Sequence, residues 1–156
     1  MPDRRGVFCL ISLSMLALSG CNSHREENVT VQMCLRDDKG IRRLRDILQE
    51  TAHSERMAFI DNTANFRREL ALVSQTPNEK DMARWVIDYV VQMGDGMGVT
   101  AGNLGLSPHQ VALGFTPGWH HRDEGFAQRL IAKLEREWKV IRTSPDQGAL
   151  PLRDCA

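Results

Sequence analysis

Chemistry in this chain would have to come from a few short stretches. Trp119-His120-His121-Arg122-Asp123-Glu124 gathers potential metal ligands in consecutive positions. Adjacent histidines point in different directions in most backbones, and the helical His-x-x-x-His or His-Glu-x-x-His spacing of zinc sites is absent. His120 and His121 are therefore weak metal candidates, and polar residues opening a helix account for the cluster more simply. The most unusual local feature is the stretch 94–105, with glycines at 94, 96, 98, 102 and 105. Gly94, Asp95, Gly96, Gly98, Thr100, Gly102 and Asn103 could present backbone N–H groups to an anion or to a partner. Their spacing is not that of a dinucleotide fingerprint, and no Lys-Ser or Lys-Thr follows as in a phosphate loop. A long hairpin connection, with Asp95-Gly96 as its tight turn, explains the same glycines. Ser107 precedes Pro108 outside any Gly-x-Ser-x-Gly elbow, and acidic pairs such as Asp88 with Asp95 or Asp123 with Glu124 read as solvated surface in a chain that is 26% charged.

The clearest chemical signal lies at the start. Arg4 and Arg5 precede a mostly apolar run from Val7 to Leu18, which is too short for the ~30 Å hydrocarbon core of a bilayer. It fits the hydrophobic region of a secretory signal. Leu18-Ser19-Gly20-Cys21 follows. This segment resembles the lipobox of bacterial (Gram-negative) lipoproteins, a Leu and two small residues before a cysteine. The resemblance covers residues 1–21 and implies that Cys21 is acylated on its thiol and becomes the N-terminus. Residues 1–20 would be cleaved away. Several acyl chains, palmitate among them, would hold the chain to a bilayer at about 0.8 kcal/mol per buried CH₂. Asn22 stands where Asp favours inner-membrane retention, so the resemblance points to the outer membrane, facing the periplasm. Residues 21–28 then read as the lipidated cysteine and a polar tether.

Two cysteines remain for the folded part, Cys34 and Cys155. An even pair in an oxidising compartment is a disulfide candidate. Two free thiols are the alternative, and no ligand-spaced neighbour suggests a metal.

The elements around these residues follow from periodicity. Val29–Leu35 is β-branched and apolar and reads as a strand. Asp37 or Asp38 caps a helix with Ile41, Leu44, Ile47 and Leu48 on one face, ending near His53. Met57–Asp61 is a second strand. Asn62 or Thr63 caps a second helix carrying Phe66, Leu70 and Val73, stopped by Thr76-Pro77. Trp85, Ile87, Tyr89, Val91 and Met93 alternate with polar or mixed residues as a half-buried strand. Val111, Leu113 and Phe115 form another. A helix over about 122–137 places Phe126, Leu130, Leu134 and Trp138 together, and Lys139–Arg142 is a short last strand. The expectation is an α+β fold: a mixed sheet of four or five strands with two or three helices on one face, in the order β-α-β-α-β-β-α-β. In element order alone this is similar to a ferredoxin-like sandwich. One domain spans 29–144, with a C-terminal tail, 145–156, that a disulfide would pin.

Charge narrows the partners. The chain of 156 residues carries 20 Lys+Arg and 20 Asp+Glu; without Arg4, Arg5 and Asp3 the remainder has 18 against 19. A near-neutral domain has no footprint for nucleic acid. The expectation is a membrane-anchored, non-enzymatic binding module for another envelope protein, needing no cofactor. An immunity or inhibitor protein and an assembly accessory both fit. A small metal-assisted hydrolase using His120–Glu124, or a binder of small molecules or cell wall using 94–105, are the competing readings.

Overall fold

The computed structural model describes residues 29–103, 106–117, 125–144, 147 and 149–155. The leader, Cys21, the tether and the Trp119–Glu124 cluster, including His120 and His121, lie outside the described residues.

The chain forms β1 (Thr30–Cys34), α1 (Asp38–Ser54), β2 (Ala58–Asp61), α2 (Thr63–Val73), α3 (Pro77–Trp85), β3 (Asp88–Gln92), β4 (Gly98–Gly102), β5 (Gln110–Thr116), α4 (Gly125–Leu134) and β6 (Ile141–Thr143). The fold is α+β. Its six strands lie in the order β2-β3-β4-β5-β1-β6, and every neighbouring pair is antiparallel. The sheet therefore exceeds the expected four or five strands and, among the described residues, contains no parallel pair. A ferredoxin-like core is nevertheless present: in β1-α1-β4-β5-α4-β6 the strands lie in the antiparallel order β6-β1-β5-β4, and β2-α2-α3-β3, inserted between α1 and β4, extends the sheet beyond β4.

The extra strand is β4, inside the glycine-rich stretch expected to be a hairpin connection. Only residues 93–97 make the turn, with Gly96 at φ 86° and the Asp95 carboxylate accepting from the Met97 N–H at 3.0 Å. Beyond it, Gly98–Gly102 pairs along its whole length with β3 and with β5. Glycine is disfavoured in strands for lack of a packing side chain. Here it is required at Gly98, where a Cβ would run into the Val91 carbonyl. Val99 and Ala101 supply the buried face.

The helix-covered face of the sheet carries Val31, Met33, Tyr89, Val91, Val99, Ala101, Val111, Leu113 and Phe115. Against it pack Leu44, Ile47, Leu48 and Ala52 of α1, and Phe126, Leu130, Ile131 and Leu134 of α4. Asp37 caps α1 by accepting from the Gly40 N–H at 2.8 Å. The apolar periodicity read from both helices is thus the one that is buried. The segment expected to be a polar connection after α2 is a helix, α3, opened by Thr76-Pro77 with a complete capping box to Glu79. Proline ends α2 and begins α3, because its missing N–H is unneeded at the first helical position. Trp85 accordingly closes a helix instead of opening a strand.

The outer face of the sheet is covered at one end by the C-terminal segment. Gln32 and Gln110 point outward there, yet are only 2% and 1% exposed. Gln32 accepts from the Leu150 N–H at 3.0 Å, and Gln110 donates to the Leu150 carbonyl at 2.6 Å while accepting from the Leu152 N–H at 2.8 Å. Two side-chain amides thereby replace the backbone ladder of an added strand. Ser107 donates to the Cys155 carbonyl at 2.7 Å. Cys34 and Cys155 are joined, with Cα atoms 5.4 Å apart, inside the span a disulfide tolerates.

Candidate functional site

The strand directions divide the molecule into two poles. The chain enters β1 at Thr30, which pairs with Gly114 and Thr143, so the starts of β1 and β4 and the ends of β3, β5 and β6 share a near pole with the 93–97 turn. The ends of β1, β2 and β4, the starts of α1, β3 and β5, and the α2–α3 hairpin share the far pole.

The seven residues singled out in 94–103 are not brought together. Gly94, Asp95 and Gly96 form the near-pole turn. Gly98, Thr100 and Gly102 lie along β4, with Thr100 exposed between Val90 and Gly114 on the outer face. Asn103 is at the far pole and wholly buried. Its Oδ1 accepts from the Ile87 N–H at 2.8 Å, and its Nδ2 donates to the Pro108 carbonyl at 2.9 Å. A donor to a ligand it is not. Asn103 clamps the α3–β3 junction to the β4–β5 connection.

That clamp underlies a cleft on the helix side, a cavity of about 540 Å³ between the first turns of α1 and the α2–α3 hairpin. Arg42 and Arg45 approach from α1, and Arg67 and Arg84 from the hairpin, so four guanidinium groups line the cleft with two carboxylates, Asp38 and Asp61. Ile41, Trp85, Ile87 and Pro108 add apolar wall. At the floor lies Tyr89, which burial first, and then the neighbouring Asp61 carboxylate, push above the ordinary phenol range. It stays a neutral hydrogen-bonding group with Thr63 beside it.

Each wall is held in place. Asn62 donates to the Asp88 carboxylate at 2.9 Å, and the Thr63 hydroxyl accepts from the Asp88 N–H at 3.1 Å, bolting the start of α2 to β3. The Arg67 Nε donates to the Val86 carbonyl at 2.7 Å, which orients its guanidinium. Arg45 pairs with Asp61 at 3.1 Å across from α1 to β2. Arg84 meets Asp81 at 3.4 Å with both side chains largely exposed, and such pairs contribute little. Arg42 has no hydrogen-bond or ion-pair partner among the described residues.

Sequence reasoning missed this cleft. Arg42 and Arg45 read as the solvent face of an amphipathic helix, and Arg84 lay in an unrecognised one. The only local signal was the density of arginine in two helices separated by a strand. A second far-pole hollow of about 430 Å³ lies beside the disulfide, lined by Arg36, Arg136, Lys139 and Arg153 against Glu135 and Glu137, with Trp138 and Leu152. Among the described residues no group of three or more His, Cys, Asp or Glu is placed to hold a metal ion. No helix among the described residues is long and apolar enough to cross a membrane.

Comparison with protein families, with curated proteins and with solved structures returned no match.

Proposed function

We propose that this chain is a lipoprotein of the bacterial envelope, anchored through acylated Cys21, and that it works as a non-enzymatic binding module for another envelope protein. The anchor is placed in the outer membrane, with the domain facing the periplasm. One observation carries the reading: the chain enters the domain at the near pole, while the arginine-lined cleft opens at the far pole. A domain tethered from residue 21 would therefore hold that cleft away from the bilayer and toward whatever approaches. Supporting it, the cleft walls come from separate elements locked by buried or partly buried hydrogen bonds, and pre-organised surfaces bind at lower ordering cost.

The test is photo-crosslinking in intact cells, with the reactive group placed at Arg84 on the far pole or at Gln92 on the near pole. A dominant protein adduct from position 84 is expected, reduced in a Cys21→Ala chain that cannot be anchored and absent in an Arg42→Glu/Arg67→Glu background. Adducts from position 92 alone, or none from position 84 at normal expression, would overturn the reading.

A further inference from the structure

Resting on that reading of the far pole, we propose that the cleft between α1 and the α2–α3 hairpin takes an acidic peptide segment of the partner. Its carboxylates pair with Arg42, Arg67 and Arg84, and a side chain lies against Trp85.

The four arginines are not equivalent. Arg45 is committed to Asp61 at 3.1 Å and acts as wall. Arg67 is fixed through Nε on the Val86 carbonyl, which directs its remaining guanidinium nitrogens without consuming them. Among the described residues Arg84 is held only by the exposed Asp81, an exchangeable partner. Arg42 brings an uncommitted positive charge from the opposite wall. A ligand satisfying Arg42 and the hairpin arginines together must span the cleft, and the planar guanidinium fork matches a carboxylate in two parallel hydrogen bonds.

The same cleft argues against a compact polyanion. Asp38 and Asp61 line it beside the arginines, Asp61 paired with Arg45 at 3.1 Å and Asp38 3.2 Å from the His109 ring, so positive charge is spread along the cleft and interrupted by carboxylates instead of gathered at one point for a phosphate dianion. An extended peptide distributes single charges along its length and offers backbone N–H donors to those two carboxylates. The apolar wall of Ile41, Trp85, Ile87 and Pro108 suits intervening side chains, and Trp85 adds a flat surface for them. A bilayer headgroup is disfavoured by position, since the cleft lies at the pole opposite the entry of β1, from which the proposed anchor leads.

The experiment uses the full chain purified from membranes in a neutral detergent, with fluorescein-labelled octaglutamate as the probe and anisotropy as the signal. Binding is expected, weakening as salt screens the pairs, and Arg42→Gln/Arg84→Gln should lower affinity about tenfold or more. Because both side chains are exposed, the urea midpoint should not move. Charge reversal guards against a folding artefact: Arg42→Glu/Arg84→Glu should lose octaglutamate and gain octalysine. Competition by inorganic phosphate at equal or lower charge concentration would overturn the inference in favour of an anion site, and competition by soluble glycerophosphoglycerol, the phosphatidylglycerol headgroup without its acyl chains, in favour of a lipid site. No octaglutamate binding, with far-pole crosslinks still formed in cells, overturns the acidic segment alone. Loss of both overturns the binding-module reading with it.

Discussion

The two poles of this domain are built by different means. At the near pole, β3 and β4 are joined by a five-residue turn, 93–97, in which the backbone closes on itself: Met93 donates to the Met97 carbonyl at 2.8 Å, with Asp95 adding one side-chain bond. At the far pole the strand ends are tied by side chains from distant sequence: Asn103 to the β3 and β5 junctions, Asn62 and Thr63 to Asp88, Gln32 and Gln110 to the C-terminal segment, and Cys34 to Cys155. A tight turn needs only local chemistry. A pole that must hold arginines from separate helices around one cleft needs long-range polar ties, because an open rim cannot be fixed by apolar packing alone. The difference marks where this fold spends specificity, and it coincides with the end opposite the entry of β1.

The sharpest way to break the contrast is to open the disulfide. Cys34 and Cys155 are 121 positions apart, and chain-entropy arguments assign a loop of this length about 4–5 kcal/mol, an upper figure. A Cys34→Ser/Cys155→Ser chain, or the native chain under reductant, should unfold at a much lower urea concentration. Before global unfolding, hydrogen exchange should rise at Leu150 and Leu152 while Val90 and Val99 stay protected. Equal loosening at both poles would show that the tail is not a separate far-pole device.

Asn103 is the next largest effect. Asn103→Ala leaves the buried Ile87 N–H without its acceptor and the Pro108 carbonyl without its donor, a cost of about 2–3 kcal/mol. Asp95→Ala at the near pole removes a single bond to a turn N–H and should cost about 1 kcal/mol or less. Denaturant unfolding of the two variants compares the poles directly. Octaglutamate affinity should also fall in Asn103→Ala, since the clamp sits behind Ile87 and Pro108 of the cleft wall, and should be unchanged in Asp95→Ala.

These residues explain what could be read in advance. The α+β class, β1, α1 and β5 were legible because each carries an apolar period that the core then buries, as at Leu44, Ile47 and Leu48, whereas β2 and α2 were legible from local pattern and stop signals although neither has a buried residue. The pairing of Cys34 with Cys155 followed from counting. The fourth strand was illegible because Gly98 and Gly102 disfavour strands and leave only Val99 and Thr100 as strand-favouring residues between them; the neighbours β3 and β5 impose the extended form. Helix α3 was missed because its residues, Pro-Asn-Glu-Lys-Asp-Met-Ala-Arg-Trp, show one buried position, Ala83, and its evidence lay in the capping box instead. The cleft was hidden for a third reason. Arginine on a helix face is ordinary until topology sets a second arginine-bearing helix opposite, and that depends on the antiparallel order of the whole sheet.

The smallest expected effect tests how the hairpin itself is held. Helix α2 has no buried residue, and Leu72 is 80% exposed near its end, so little packing fixes the hairpin tip. Its joint depends on Glu79, whose carboxylate accepts from the Thr76 N–H at 2.9 Å and the Gln75 N–H at 2.7 Å. Those two backbone donors, Thr76 first, hold the Glu79 pKa below the ordinary carboxylate value. A depressed carboxylate stabilises the fold fully above its unfolded pKa, and the contribution disappears as pH falls through the lower folded value. Following the Gln75 and Thr76 amide shifts by NMR from about pH 6 to about pH 3 should give a common midpoint below that of a free glutamate. Glu79→Gln should abolish the titration and leave the Asn103 clamp and the disulfide-tied tail undisturbed. A midpoint at the ordinary glutamate value would mean that the capping box does not persist in solution, and that the hairpin arginines are positioned by the Asn62, Thr63 and Arg67 bonds alone.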